Sequence, residues 1–254
     1  MTTIYSQEHG SGEPILLIHG FPFHLEIWNG FSERLSDKFR VITVDLPGFG
    51  KSAPLQPPFS LEQVANTLIG FLREKNLRKV NLVGHSLGGY VALAMIKYNP
   101  ELFASLVLFH STAYADSAEK RASRSKVVEL VEKKGALPFT SGFIPPLFFN
   151  PTHPAIEGVK KIAGEASSEA VIGYTLAMRD RPDQVKTLEV FKNPTLFLAG
   201  KNDPGIPPDS IRKQAVHSEK GEIHIFENVS HMGMFEKPEE SASKIKDFVS
   251  KTNV

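Results

Sequence analysis

Three features of the sequence predict an α/β fold, a mostly parallel and doubly wound sheet that carries a helical insertion. Short runs rich in β-branched and large apolar residues alternate with segments of helical periodicity. Most of these runs are continuously apolar, as strands covered on both faces require. The alternation then lapses for roughly eighty residues before it resumes.

The strand-like runs are residues 14–19 (PILLIH), 40–46 (RVITVDL), 79–85 (KVNLVGH), 104–110 (ASLVLFH), 194–200 (PTLFLAG) and 222–227 (EIHIFE). Between them, residues 26–36, 60–75, 87–99, 208–216 and 238–250 place apolar residues at helical spacing. Ser60 with Gln63 three residues on forms a capping box, so a helix starts there. Pro238 suits the first turn of the last helix, where a missing N–H costs nothing. Strand–helix alternation of this kind builds a parallel sheet with helices on both faces.

The rhythm breaks over residues 111–190. Helical patches fall at 118–134, 154–166 and 168–179, and the piece 139–149 is rich in aromatics and proline. Such a length is too great for an ordinary connection. It predicts a helical cap, 111–190, over the functional edge of a core formed by 1–110 and 191–254.

Composition narrows the function. With 254 residues, 41% hydrophobic and 22% charged, the chain is an ordinary globular protein. The 29 basic and 28 acidic residues give a formal charge of +1, which favours neither nucleic acid nor an anionic membrane as partner. Zero cysteines exclude a thiolate metal site and a cysteine nucleophile. The start, MTTIYSQE, lacks the basic and apolar parts of a signal peptide. No apolar run approaches the ~20 residues that span a bilayer. A cytoplasmic monomer or homodimer is expected.

The chemistry centres on Gly84-His85-Ser86-Leu87-Gly88-Gly89. A G-x-S-x-G alone carries little information, but this one ends an apolar strand and opens an apolar-faced helix, as a nucleophile elbow needs. Serine requires a base to take its proton. Among the histidines that follow Ser86, His231 lies in a short loop after the last strand, where open α/β sheets build their sites. His224 lies inside a strand, His217 at a polar helix end, His153 between prolines of the cap, and His110 at a strand end before the cap. The base needs an orienting carboxylate. Asp203, after the 194–200 strand and before a stiff Pro204-Gly-Ile-Pro-Pro208 loop, is favoured, with Asp116 as its competitor. Oxyanion donors are expected from the backbone N–H of Leu87 and of Phe21, the latter held by Gly20 and Pro22; His19 braces that loop.

Residues 48–52 end like a phosphate-binding loop, but Asp45 stands where its first glycine belongs. Read as a dinucleotide fingerprint, the same stretch runs into Pro54, Pro57 and Pro58 and leaves no helix N-terminus for a pyrophosphate. No metal-ligand spacing is present, and no cofactor or metal is expected.

With HGFPF (19–23), DLPGFGKS (45–52), GHSLGG (84–89), AGKNDPGIP (199–207) and VSHMGMFEKPEE (229–240), the chain resembles the α/β-hydrolase superfamily over nearly its whole length. The resemblance implies a triad of Ser86, Asp203 and His231, an oxyanion hole from Phe21 and Leu87, and a structural turn at DLPGFGKS. The layout looks closest to small capped carboxylesterases, with enol-lactonases and cofactor-free haloperoxidases as near relatives. Ser86 stands where dehalogenases and epoxide hydrolases carry Asp. The short stretch before PILLIH implies a reduced N-terminal hairpin. C–C bond hydrolases and slow-turnover ligand receptors share the same triad. The expected substrate is a small, uncharged carboxylic ester, held by Gly20, Phe23, Phe143, Leu147 and Phe148 in an apolar pocket without nearby cations.

Overall fold

Within the described residues of the computed structural model, 2–252, seven strands form one sheet; positions 1, 253 and 254 of the expected core lie outside them. The strands are β1 (Ser6–His9), β2 (Pro14–Ile18), β3 (Arg40–Val44), β4 (Val80–His85), β5 (Phe103–Phe109), β6 (Thr195–Gly200) and β7 (Gly221–Phe226). Their spatial order is β1-β3-β2-β4-β5-β6-β7, and only β1 on β3 is antiparallel. Ahead of β2 the described residues contain one short strand, β1, which pairs antiparallel with β3. Strand order reverses between β2 and β4, so a crevice opens outside their carboxyl ends, the usual ligand position in such sheets.

Period-two side-chain alternation explains the continuous apolar runs. Leu16 and Ile18 of β2 join one core cluster, while Ile15 and Leu17 join the cluster on the other face. Strand β7, at the edge, is mostly exposed along its first residues, and its EIHIFE run is correspondingly less apolar.

The helices are α1 (Phe31–Ser36), α2 (Leu61–Glu74), α3 (Leu87–Tyr98), α4 (Ala118–Lys134), α5 (Ala136–Phe143), α6 (Ile156–Gly164), α7 (Ser168–Asp180), α8 (Val185–Val190), α9 (Pro208–Ala215), α10 (Gly233–Glu236) and α11 (Pro238–Lys251). Helices α2, α3, α8 and α9 contribute to the first cluster; α1, α10 and α11 contribute to the second. The Ser60–Gln63 capping box forms in both directions at α2.

The helix expected over 26–36 is divided. A 3-10 turn, Leu25–Trp28, and α1 are separated by Gly30 at φ 72°, a left-handed conformation that interrupts helical hydrogen bonding. The aromatic stretch 139–149 lies partly in α5 and partly in a 3-10 turn over Pro145–Leu147. Helix α8 lies within the segment 111–190 but packs on α3 of the sheet layer.

The DLPGFGKS segment is a tight structural turn. Asp45 accepts the N–H groups of Leu25 (2.7 Å) and Lys51 (2.8 Å), and the Ser52 hydroxyl donates to the Asp45 carbonyl (2.7 Å). Gly50, at φ 52°, has no room for a Cβ, which would lie 2.2 Å from Asp45 Oδ2.

Candidate active site

Strand β4 delivers Ser86 to the crevice and α3 begins immediately after it. The serine has φ 50° and ψ −113°, a strained backbone that a non-glycine residue rarely adopts. Its neighbours make the turn possible. A Cβ on Gly84 would lie 2.5 Å from the Gly88 backbone, and one on Gly88 would lie 2.2 Å from the Ile18 carbonyl oxygen. Ser86 N–H donates to Phe109 O (3.0 Å), and the Ser111 hydroxyl donates to Ser86 O (2.7 Å).

Asp203 and His231 come from loops following β6 and β7 that close on each other. Asn202 N–H donates to Val229 O (2.9 Å), and a Cβ on Gly200 would lie 2.0 Å from Ser230 O. His231 Nδ1 donates to Asp203 Oδ2 at 2.6 Å, which leaves Nε2 as the nitrogen able to accept a proton. The other carboxylate oxygen, Oδ1, accepts the N–H groups of Gly205 (2.9 Å) and Ile206 (3.0 Å). Burial would raise the pKa of Asp203, whose side chain is 1% exposed, yet the charge of His231 and hydrogen bonds from His110 and His231 hold it well below the usual carboxylate range.

His110 is a member of this cluster that the sequence reading set aside. It is fully buried, sits at φ 49°, and places Nδ1 3.4 Å from the same Asp203 Oδ2. Gly200 and Gly233 N–H groups lie 3.2 Å from its two ring nitrogens; a proton on Nδ1 is the assignment that lets the ring donate to Asp203. The one available signal was its position at a strand end. The donor atoms of His110, Asp203 and His231 lie within 4.8 Å of one another, but those of the aspartate are already taken up by hydrogen bonds, so the set does not fit a resident metal.

Asp116 does not reach this cluster. Its fully buried carboxylate is held by Arg124 Nε on one oxygen and by Arg181 Nη1 (2.7 Å) on the other. His19 braces the first loop: Nε2 accepts Leu46 N–H (2.9 Å) and Nδ1 donates to Gly20 O (2.8 Å). Burial lowers its pKa to about 3, so the ring is neutral there. Among the described residues, neither Phe21 N–H nor Leu87 N–H has an acceptor within the protein.

Ser86, Asp203 and His231 line one cavity of about 550 Å³, together with Phe21, Phe143 and Leu147. Three expected pocket residues lie elsewhere. Phe23 is 1% exposed and stacks against His85 within the second core cluster. Phe148 is buried in the same cluster, against His153 and Phe235. Gly20 is buried, with a Cβ there meeting His85 Nδ1 at 2.5 Å, so its role is close packing. The pocket is also not free of cations. Lys120 and Arg124 line it, alongside Tyr90, Phe139, Thr175 and Met178. Sequence reasoning missed both because they lie outside the motif loops, on a polar helix.

The sheet order, the strained elbow and the Asp–His pair define the class of the protein, and comparison with known sequences agrees: the chain belongs to the Alpha/beta hydrolase family, whose sequence profile matches residues 15–244. A thermophilic esterase from Thermogutta terrifontis, solved with malate bound, is 31% identical with a TM-score of 0.94, over 100% of this chain and 95% of that one. The enol-lactonase from Burkholderia xenovorans LB400 shares the fold, with a TM-score of 0.90 at 19% identity over 98% of this chain and 97% of that one. The (E)-2-((N-methylformamido)methylene)succinate hydrolase of Acinetobacter baylyi is 28% identical, over 93% of this chain and 90% of that protein. The chain spans about half the length of the first curated relatives it matches, among them an uncharacterized protein of Mycobacterium tuberculosis (32% identical over 190 residues, 75% of this chain and 51% of that protein). No helix among the described residues is long and apolar enough to cross a membrane.

Proposed function

We propose that the chain is a serine carboxylic ester hydrolase that works through an acyl-enzyme on Ser86. The observation that carries this reading is the 2.6 Å His231–Asp203 hydrogen bond, in a cavity also lined by a serine at a strained elbow. His231 Nε2 takes the hydroxyl proton of Ser86 as Oγ attacks the ester carbonyl. The Phe21 and Leu87 N–H groups hold the oxyanion, aided by the N-terminus of α3, which starts at Leu87. His231 then protonates the departing alcohol. In the second half it activates water, which releases the acid and regenerates Ser86. Asp203 remains ionised throughout and stabilises the imidazolium. No cofactor takes part.

In this reading residues 111–190 form the cap, since α4, α5 and α7 supply one wall of the cavity. Similarity to an esterase over the full chain supports it. The substrate is a small molecule, and the cellular setting is the cytoplasm. The test pairs ester turnover with fluorophosphonate labelling and peptide mapping. The probe is expected on the peptide containing Ser86, with turnover lost in proportion to labelling; attachment to another serine would sink the assignment.

A further inference from the structure

One wall of the cavity carries charge that the proposed chemistry does not use. Helix α4 is polar, with Val131 alone among its residues buried. Yet Lys120, Ser123, Arg124 and Val127 all line the cavity. Their spacing of three, four and seven residues puts them on one helix face. A face with two cations therefore borders the cavity.

Arg124 is held in place. Its side chain is 16% exposed, and its Nε donates to the Asp116 carboxylate, which is itself fully buried. That carboxylate is shared with Arg181, so one negative charge faces two guanidinium groups. Arg181 is engaged elsewhere: it donates to Met178 O and Tyr114 O and lies over the Tyr90 ring at 4.0 Å. Among the described residues, the Nη1 and Nη2 groups of Arg124 have no acceptor. Among the described residues, Lys120 Nζ reaches only Gly205 O, at 3.4 Å, in the loop after Asp203. Among the described residues, Asp203 is the one acidic residue of the lining, and its oxygens are engaged by His231 and by backbone amides.

We propose that Lys120 and Arg124 form a carboxylate-binding subsite of this cavity, so that the substrate is an ester bearing a second, ionised carboxylate. The inference rests on the esterase reading and replaces the expectation of an uncharged ester. A partly buried guanidinium with open Nη groups matches a carboxylate in geometry, and an anion offsets the cost of withdrawing its charge from water. Phe21, Phe143 and Leu147 then line the space available to the chain between the ester and the carboxylate.

The test compares methyl hemiesters of succinic, glutaric and adipic acids with methyl butyrate, valerate and hexanoate, following methanol release by the full chain. A second arm compares the acetate esters of 4-hydroxybenzoate and 4-hydroxybenzamide, which places the carboxylate on the alcohol side. At low salt, kcat/KM for the anionic member of at least one arm should exceed that of its neutral partner by about tenfold or more, mainly through KM. Salt should shrink that ratio. It should fall towards one in the K120Q/R124Q double variant and be partly kept in R124K.

A wild-type ratio at or below one in both arms overturns the inference and leaves the esterase reading standing, as does a ratio unchanged in the double variant. Absence of turnover on every ester overturns the esterase reading itself. Should the double variant fail to fold, since Asp116 would lose a partner, inhibition of the wild type decides. Glutarate should compete with the neutral ester and glutaramide should not; equal inhibition by both overturns the subsite.

Discussion

The two walls of the cavity are built on different principles. The sheet wall is made of backbone constraint: Ser86 in a left-handed conformation, and Gly84, Gly88 and Gly200 where a Cβ would meet main-chain atoms at 2.0–2.5 Å. The helical wall is made of side chains from α4, α5 and α7, in which Lys120, Phe143 or Met178 could be exchanged without disturbing a turn. Backbone constraint fixes where the chemistry happens, while exchangeable side chains set what enters. Substitutions on the first wall should therefore abolish turnover, and those on the second should redistribute it.

The largest effect belongs to the proposed nucleophile. Ser86→Ala should lower kcat by ~10⁴ or more with the fold intact, because the remaining groups have nothing to activate. Circular dichroism and steady-state kinetics on the same sample check both halves. The next belongs to the proposed acid. Asp203→Asn should lower kcat by ~10³–10⁴, since an amide no longer favours the tautomer with the proton on Nδ1. Asp116→Asn should leave kcat on neutral esters within about an order of magnitude of wild type, as Asp116 contacts arginines and not His231. Reversed results would move the acid to the loop after β5 and break the division between the walls.

The same contrast explains what could be read from the sequence. The elbow, the β2 loop and the loops bearing Asp203 and His231 were legible because their geometry admits few residue types. Helix α2 was legible from its Ser60–Gln63 cap, and α4 from a helical patch over 118–134. Phe23 and Phe148 were misplaced because aromatic content says nothing about which side of a loop faces a cavity; both turn into the second core cluster. Lys120 and Arg124 were passed over because a charged helix face ordinarily meets solvent. His110 escaped because strand-end histidines look alike until their partners are known. The break at Gly30 shows how a single left-handed residue divides a pattern that periodicity reads as continuous.

A pH series of stability sharpens the comparison further. His19, His85 and His110 stand at the carboxyl ends of the adjacent strands β2, β4 and β5, all fully buried. Burial lowers all three pKa values, that of His19 to about 3. The unfolded chain binds these protons near the ordinary value of about 6.5, so the folded state loses stability as pH falls below it. Each ring contributes up to about 1.4 kcal/mol per pH unit in that window. Asp203 acts lower: its depressed folded pKa adds stability that is complete above about 4 and lost below. Urea midpoints should hold steady above neutrality and drop between about pH 6.5 and 5, and His19→Gln should flatten the drop. A midpoint constant down to pH 5 would refute the buried-neutral assignment.

The smallest effect tests the helical wall with uncharged substrates alone. Phe21 stands on the sheet side of the cavity, while Phe139, Phe143 and Leu147 face it from residues 136–147, where Pro145 and Pro146 stiffen the chain. Each CH₂ that enters such a surface contributes ~0.8 kcal/mol, about a fourfold gain in binding. For neutral p-nitrophenyl esters, kcat/KM should rise from acetyl to about butyryl or hexanoyl. It should then fall, because the cavity holds only about 550 Å³. Phe143→Ala should shift the optimum to longer chains and lower the peak severalfold, since removing the ring lengthens the cavity but forfeits contacts. Leu147→Ala should do less to the peak, though its carbonyl accepts the His231 N–H at 2.9 Å and would keep that loop in register. A flat acyl-length profile in the wild type would mean that these aromatics pack the helices together without gripping the acyl chain. Discrimination on this wall would then reside in Lys120 and Arg124, and the hemiester ratio would persist in Phe143→Ala undiminished.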